Sequence, residues 1–181
     1  MKIKELKLKG AAELDIKKKV DGRGWFTRLF CQEKLNSINK KRNILQINSS
    51  YSTKKGTIRG MHYQKKPYQE DKVVFCITGE IFDVIVDIRP NSMTFGEWSS
   101  TILSSKKMNA IYVPKGFAHG YQTLTDKCQI LYFHTEVYKQ KSEGGFSFKS
   151  PYLSIPWPLN PKNISKKDLR LDNFSEKKYD L

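Results

Sequence analysis

A chain of 181 residues is long enough to bury one good core, and its length fits one domain covering residues 1–181. The net charge of +15 would suit an anionic partner, but only six of the 33 basic residues are arginine, and dispersed lysine is typical of a solvated surface. Because no helix-turn-helix, zinc-finger or RNA-binding sheet motif accompanies the charge, we do not expect nucleic-acid binding.

The cysteines and the hydropathy pattern bear on the compartment. The chain has three cysteines and no CxxC pair, which argues against a disulfide framework and against a structural zinc site. It contains neither 18 consecutive apolar residues nor an N-terminal apolar segment typical of a secretory signal. We therefore predict a cytoplasmic protein that does not bind a membrane.

Short runs of β-branched and aromatic residues between turn residues predict an all-β sandwich or barrel. The predicted strands are 2–8, 44–52, 73–78, 81–88, 97–103, 110–113, 120–124 and 129–135. A hairpin is predicted at Gly79-Glu80, which separates two apolar runs. Helical signal is restricted to a short segment, 32–39, and to a helix cap at Ser165.

The run 56–64 places an arginine and a histidine three residues apart between glycines. In a regular strand His62 and Gly60 share one face and Arg59 lies on the other. A histidine on a rigid strand is suited to acid–base chemistry, although a hydrogen-bonded core histidine is the more ordinary explanation. Both side chains can line one cavity only if the glycines bend or twist the strand.

A second histidine, His119, lies in a turn that contains one proline and two glycines, at 114–120. Together with the upstream strand histidine and the turn at Gly79, it resembles the two motifs of the cupin superfamily, jelly-roll barrels with a ligand cavity in the mouth. Metal-binding cupins carry HxH followed by glutamate, whereas here His62 is followed by Tyr63 and Gln64. With three histidines in the whole chain, we expect no metal and no cofactor, and an acid–base role for His62.

A longer pattern covers nearly the whole chain. Its segments, in order, are Asn48-x-Ser50-x-Ser52, Lys55-Gly56-x-x-Arg59-Gly60-x-His62-Tyr63-Gln64, Gly79-x-x-x-Asp83-Val84-x-Val86-Asp87-Ile88-Arg89, Ser92-x-Thr94-x-Gly96-x-Trp98, Pro114-x-Gly116-Phe117-Ala118-His119-Gly120, Ile155-x-Trp157-Pro158 and Ser165-x-Lys167-Asp168. In this order they resemble the nucleotide-sugar 3,5-epimerases typified by dTDP-4-dehydrorhamnose 3,5-epimerase. The resemblance implies an enzyme that inverts C3, C5 or both in a nucleoside-diphosphate 4-keto-6-deoxy sugar.

The resemblance also implies catalytic roles. His62, oriented by Asp168, would be the base that removes a proton from a carbon beside the C4 ketone. Lys72 would stabilise the negative charge that develops on O4. Tyr132 would be the acid that returns a proton from the other face, since a tyrosine is protonated at neutral pH.

Substrate-binding residues follow from the same resemblance. Arg23 and Arg59 would hold the diphosphate, and Phe26 and Tyr138 would lie near the base. Further polar contacts are expected from Gln46, Asn48, His119, Glu143 and Lys167. The family forms homodimers in which the N-terminal region crosses to the neighbouring subunit, so Arg23 and Phe26 would serve the adjacent site.

One departure from the family pattern concerns the nucleotide. Where the family has a glutamate that contacts thymine, this chain has Arg28, a hydrogen-bond donor in place of an acceptor. The pattern therefore leaves dTDP and GDP open, together with hexose and heptose precursors of surface polysaccharide. Two other functions also stay open: a cupin 3,4-ketoisomerase acting on the same substrate class, and a non-catalytic cupin that binds sugar nucleotides.

Overall fold

The computed structural model describes residues 1–38, 43–176, 179 and 181, and most of its regular structure is antiparallel β-sheet. The strands are β1 Lys2–Glu5, β2 Ala12–Asp15, β3 Lys19–Asp21, β4 Gly24–Phe26, β5 Gln46–Ser52, β6 Ile58–Gln64, β7 Lys72–Thr78, β8 Glu80–Asp87, β9 Trp98–Ser104, β10 Asn109–Val113, β11 Phe117–Thr123, β12 Cys128–His134 and β13 Glu143–Gly145. The all-β prediction with a few short helical segments is confirmed.

The helical segments are short. Helix α1 spans Gln32–Leu35, and the predicted end of this segment, Asn39, lies outside the described residues. Two 3-10 turns span Gln140–Ser142 and Asp168–Arg170. The backbone N–H of Asp168 donates to Ser165 Oγ at 3.0 Å, as a cap at Ser165 would require, but the 3-10 turn begins later than predicted, with Lys167 as its N-cap residue. No helix in the described ranges has the length and apolar character needed to cross a membrane.

Two sheets face each other across the main core. One sheet has the order β1-β2-β10-β7-β12-β5, the other β13-β6-β11-β8-β9, and β3 pairs with β4 in a separate hairpin. Val74, Ile85 and Tyr121 meet between the facing sheets. The outer faces are also covered: Phe75 of β7 packs against a cluster that includes Leu35, and Val84 of β8 belongs to a cluster with Phe174. Burial on both faces explains why β7 and β8 are continuous apolar runs and do not alternate.

The predicted hairpin at Gly79 is wrong. Strand β7 pairs with β10 and β12, whereas β8 pairs with β9 and β11, so the chain crosses from one sheet to the other at this turn. Gly79 has φ +83°, and a Cβ there would lie 2.6 Å from Thr125 Oγ1. The turn therefore needs glycine, but a glycine between two apolar runs does not distinguish a hairpin from a crossing between facing sheets.

A β-bulge in β6 turns Arg59 and His62 to the same side of the sheet. His62 lies opposite His119 and Arg59 lies opposite Tyr121, so β6 advances three residues while β11 advances two. The additional residue reverses the normal alternation of side chains between the two faces. The bend that the sequence required at Gly60 is therefore present.

The bulge depends on a close approach of two glycines. Gly60 has φ +118°, and a Cβ on it would lie 2.5 Å from the Cα of Gly120. A Cβ on Gly120 would in turn lie 2.9 Å from the carbonyl oxygen of Arg59. Because backbone atoms occupy the space on both sides, neither position accepts a side chain without displacing β6 or β11.

Gly60→Ala is expected to destabilise the protein by about 2 kcal/mol, because it combines an unfavourable φ with a collision against backbone. Such a loss corresponds to a fall in Tm of about 4–8 °C for a chain of this size. The matched control is Gly22→Ala, since no atom of the same chain lies within 4 Å of a Cβ at that position. Equal Tm values for the two variants, measured by circular dichroism, would contradict the proposed packing constraint.

Candidate active site

A cavity of about 790 Å³ opens between the two sheets, and its walls come from β5, β6, β7, β11, β12 and the segment 163–168. Eight of the fourteen residues predicted for the site line this cavity. Among the predicted site residues, those that line the cavity are Asn48, Arg59, His62, Lys72, His119, Tyr132, Lys167 and Asp168.

His62 and Asp168 form a hydrogen-bonded pair at the wall made by β6. His62 Nε2 lies 2.7 Å from Asp168 Oδ1, and the two side chains are 30% and 4% exposed. Because a carboxylate only accepts hydrogen bonds, Nε2 carries the proton and Nδ1 keeps the free electron pair of the neutral ring. The arrangement fixes the tautomer and leaves Nδ1 to accept a proton.

The charge of Asp168 is set by its surroundings. Burial acts to raise its pKa, but the hydrogen bond to His62 and the charge of a protonated His62 lower the pKa below its ordinary value of 3.8. The carboxylate is therefore ionised at neutral pH. An ionised partner stabilises the imidazolium that forms when His62 accepts a proton.

Tyr132 approaches the cavity from β12, in the sheet that faces His62. Its hydroxyl lies 3.1 Å from Ser50 Oγ, which also lies 3.1 Å from the hydroxyl of Tyr121. Burial, which removes water from the hydroxyl, raises the pKa of Tyr132 well above its ordinary value of 10.0, and the electrostatic effect of Tyr121 acts in the same direction. Tyr132 therefore stays protonated at neutral pH and is able to donate a proton.

Lys72 supplies a cation to the same cavity. Its Nζ lies 3.1 Å from Glu70 Oε1, and the two side chains are 11% and 7% exposed. A charge with so little hydration interacts more strongly with a neighbouring oxyanion than a charge on the surface does.

His119 belongs to a second histidine–carboxylate pair in the cavity wall. Its Nε2 lies 2.7 Å from Asp83 Oδ2, and Asp83 is fully buried. Across residues 1–38 and 43–176, Asp83 Oδ1 is the buried side-chain oxygen that lacks a hydrogen-bond partner. His119 opposes His62 in the pairing of β11 with β6, so both rings lie on the cavity side.

Three of the predicted substrate-binding residues, Gln46, Tyr138 and Glu143, lie close to the cavity, and hydrogen bonds connect them to it. Lys167 Nζ and the Tyr138 hydroxyl both donate to Glu143 Oε2, and the Tyr138 bond is 2.7 Å long. Burial acts to raise the pKa of Glu143, but the bond from Lys167 and that from Tyr138 lower it below its ordinary value. The backbone N–H of Tyr138 donates to Gln46 Oε1 at 3.0 Å, which connects this group to β5.

The structure does not bring Arg23, Phe26 and Arg28 into the cavity of their own chain. Arg23 is 91% exposed and pairs with Asp21 at 2.8 Å, and Phe26 is 65% exposed. Arg28 Nη1 lies 4.0 Å from Cys31 Sγ. These residues lie on or just after the β3–β4 hairpin, outside the cavity lining of this chain.

Other residues of the site were not found from the sequence. Ser50 and Asp83 belong to segments of the family pattern but had no assigned role, and Tyr121, Glu70 and His134 carry no local signal that separates them from core or surface residues. Within the described residues, no group of three or more His, Cys, Asp or Glu is arranged to hold a metal ion.

Asp168→Asn is expected to destabilise the protein at mildly acidic pH, with the difference vanishing in stronger acid. Because folding lowers the pKa of Asp168 below 3.8, its contribution is complete above that value and is lost as the pH falls through the folded-state pKa. Urea unfolding of both proteins, from about pH 5 downward, measures this convergence. A difference that stays constant or grows in acid would contradict the pairing.

Comparisons with known proteins agree with this geometry. Residues 5–176 match the family model described as dTDP-4-dehydrorhamnose 3,5-epimerase. The chain is 38% identical over 160 residues to the dTDP-4-dehydrorhamnose 3,5-epimerase of Shigella flexneri, covering 88% of each chain. It is 37% identical over 164 residues to the protein of the same name from Methanothermobacter thermautotrophicus, covering 89% of this chain and 88% of that one.

Solved structures give the same result. The dTDP-4-dehydrorhamnose 3,5-epimerase of Bacillus anthracis str. Ames, with TDP and PPi bound, superposes with a TM-score of 0.92 at 36% identity, covering 96% of this chain and 99% of that one. The dTDP-6-deoxy-D-glucose-3,5-epimerase of Legionella pneumophila Philadelphia 1, in complex with dTDP-4-keto-L-rhamnose, gives 0.91 at 34% identity, covering 95% and 92%. Sequence, fold and cavity together show that the chain belongs to the dTDP-4-dehydrorhamnose 3,5-epimerase family.

Proposed function

We propose that the protein epimerises nucleoside-diphosphate 4-keto-6-deoxy sugars at C3 and C5 by proton transfers to and from its own side chains. The observation that carries the proposal is the placement of a base and an acid on facing sheets of one cavity. His62, paired with Asp168, lies on β6, and Tyr132 lies on β12. Inversion of a carbon requires proton removal from one face and delivery to the other.

The chemistry follows from these positions. The C4 ketone makes the hydrogens on C3 and C5 acidic, and His62 Nδ1 takes one of them while Asp168 stabilises the imidazolium. The negative charge moves to O4, where the ammonium of Lys72 stabilises the enolate. Tyr132 then protonates the carbon from the opposite face, which inverts its configuration.

The cavity also carries groups suited to a diphosphate. Arg59 is exposed at the cavity, where its Nη2 donates to the carbonyl oxygen of Tyr51 at 3.2 Å. Lys167 lies in the same cavity, and both cations suit phosphate oxygens. Nucleotide and pyrophosphate in the Bacillus anthracis relative support this assignment.

We infer a homodimer in which the β3–β4 hairpin of one subunit lies at the cavity of the other. The hairpin exposes apolar side chains, with Val20 78% and Trp25 55% exposed. Strand β5 is an edge strand with Ile47 and Tyr51 more than half exposed. Exposed apolar groups beside an unpaired strand edge favour association with a second chain. Arg23 and Phe26 would then complete the neighbouring site.

The nucleotide has two candidates. The names of the relatives support dTDP. Arg28 favours GDP instead, because a guanidinium can donate to O6 and N7 of guanine together, whereas thymine offers it one carbonyl oxygen beside an N3–H that needs an acceptor. The sugar is a hexose or a heptose.

We propose that the product serves surface polysaccharide and that the enzyme is cytoplasmic, in keeping with its three free cysteines.

The proposal is tested by incubating the enzyme with dTDP- and GDP-linked 4-keto-6-deoxy sugars in D2O and following deuterium at C3 and C5 by NMR. His62→Ala is expected to abolish exchange at both carbons, because the base is lost. Tyr132→Phe retains exchange but loses inversion, because protonation from the opposite face is lost. The control Tyr152→Phe changes a tyrosine that is 56% exposed and lies outside the lining of the cavity.

Folded enzyme that exchanges no hydrogen on any of these substrates would refute the proposed function. The same spectra discriminate the rival activities. A 3,4-ketoisomerase would yield a product with the ketone at C3, and a non-catalytic protein would bind the nucleotide sugar without exchange.

Arg28→Glu is expected to move nucleotide preference toward dTDP. The change restores an acceptor for thymine N3–H and removes the donors for guanine, and one such base contact is worth roughly a tenfold change or more. The measurement is the ratio of kcat/KM for the dTDP- and GDP-linked substrates in the wild type and the variant. An unchanged ratio would exclude Arg28 from nucleotide recognition.

A further inference from the structure

Glu70 and His134 connect side chains of the cavity to which the sequence pattern assigned separate roles. Glu70 Oε1 lies 3.1 Å from Lys72 Nζ, and its Oε2 lies 2.8 Å from His134 Nδ1. Both residues are more than nine-tenths buried. A buried carboxylate that uses both oxygens in this way holds both partners in one geometry.

His134 also contacts two predicted functional residues directly. Its Nε2 lies 3.4 Å from Asn48 Nδ2. Its ring stacks on that of Tyr132, with centroids 5.9 Å apart and an interplanar angle of 25°. His134 therefore touches the proposed acid and a proposed substrate-binding amide, and it reaches the proposed oxyanion stabiliser, Lys72, through Glu70.

The direction of the hydrogen bonds can be assigned from one unambiguous donor. The backbone N–H of Tyr138 donates to Gln46 Oε1 at 3.0 Å, which leaves Gln46 Nε2 to donate to Asn48 Oδ1 at 3.1 Å. Asn48 then presents its Nδ2 donor to His134 Nε2. His134 must accept at Nε2 and donate from Nδ1 to Glu70, so its ring is the neutral Nδ1–H tautomer.

The charge of Glu70 agrees with this assignment. Burial acts to raise the pKa of Glu70, but the charge of Lys72 and the hydrogen bond from His134 lower it below its ordinary value. Glu70 is therefore ionised and accepts from both neighbours. An ionised partner fixes the direction of the Lys72 ammonium, which a flexible four-carbon side chain does not fix by itself.

We propose that Glu70 and His134 are positioning residues for the epimerisation: Glu70 aims Lys72 at O4 of the sugar, and His134 aligns Asn48 for substrate binding. The inference rests on the proposed function and adds two residues to it. Neither residue needs to touch the substrate, because each acts through its neighbour.

Two variants of His134 separate its two hydrogen bonds. In His134→Asn the amide donor takes the place of Nδ1–H and keeps the bond to Glu70, but the contact with Asn48 is lost. In His134→Gln the longer side chain brings an amide oxygen to the place of Nε2 and keeps the bond to Asn48, while the bond to Glu70 is lost. One hydrogen bond corresponds to a change of about three- to tenfold.

The kinetic test measures kcat and KM for deuterium incorporation. His134→Asn is expected to raise KM about three- to tenfold with little change in kcat, and His134→Gln is expected to lower kcat by a similar factor with little change in KM. Glu70→Gln, which keeps the shape and removes the charge, lowers kcat about 10–100-fold. The matched control Glu97→Gln removes a carboxylate paired with Lys7 at 3.0 Å, outside the cavity lining.

A measurement that does not depend on turnover keeps the two proposals distinguishable. Because the chain has three histidines, ring ¹⁵N NMR with His134→Gln for assignment identifies the His134 tautomer. Observation of the Nδ1–H form supports the assigned network even if no substrate is found, and the Nε2–H form overturns it. Wild-type kinetic constants in all three variants, with an active and folded enzyme, would refute the positioning role while leaving the proposed function intact.

Discussion

The contact between Gly60 and Gly120 is the constraint on which the site depends. Facing sheets give each strand one side toward the cavity, and regular alternation would send Arg59 and His62 to opposite sides. The bulge that the two glycines permit places both on the cavity side. The proposed anion-binding cation and the proposed proton acceptor are thereby carried by one strand, at a spacing that neither a regular strand nor a larger residue at position 60 would allow.

The chain pairs each of its three histidines with a buried carboxylate, and the three rings differ in how far they are exposed. The nitrogen–oxygen distances are 2.7, 2.7 and 2.8 Å for His62–Asp168, His119–Asp83 and His134–Glu70. The three histidine side chains are 30%, 6% and 10% exposed. The pairing fixes a tautomer in each case, but only an imidazole with free space at its second nitrogen can take a proton from a bound sugar. Exposure therefore distinguishes the proposed base from the other two rings.

Local sequence predicted the all-β architecture, most strand positions and the need for a bend at Gly60, because alternation and turn residues are short-range signals. It could not predict the crossing at Gly79 or the link between Glu70 and His134. That link exists because Lys72 of β7 lies opposite His134 of β12, and Gln46 of β5 lies opposite the same histidine. Strand order and register are properties of the whole sheet. The local sequence around Glu70 and Lys72 therefore does not predict which residues will lie opposite them.

The residues proposed for proton transfer and those proposed for recognition of the nucleotide base lie in different parts of the chain. The groups for proton transfer lie on strands whose positions are fixed by a shared core, whereas Arg23, Phe26 and Arg28 lie on or next to a hairpin that is largely exposed in one subunit. In the proposed dimer the hairpin gains its ordered surroundings only from the neighbouring subunit, so assembly and nucleotide binding stabilise each other. A substitution on the hairpin can then change the accepted nucleotide without disturbing the geometry of His62 and Tyr132, because no strand of the cavity has to move.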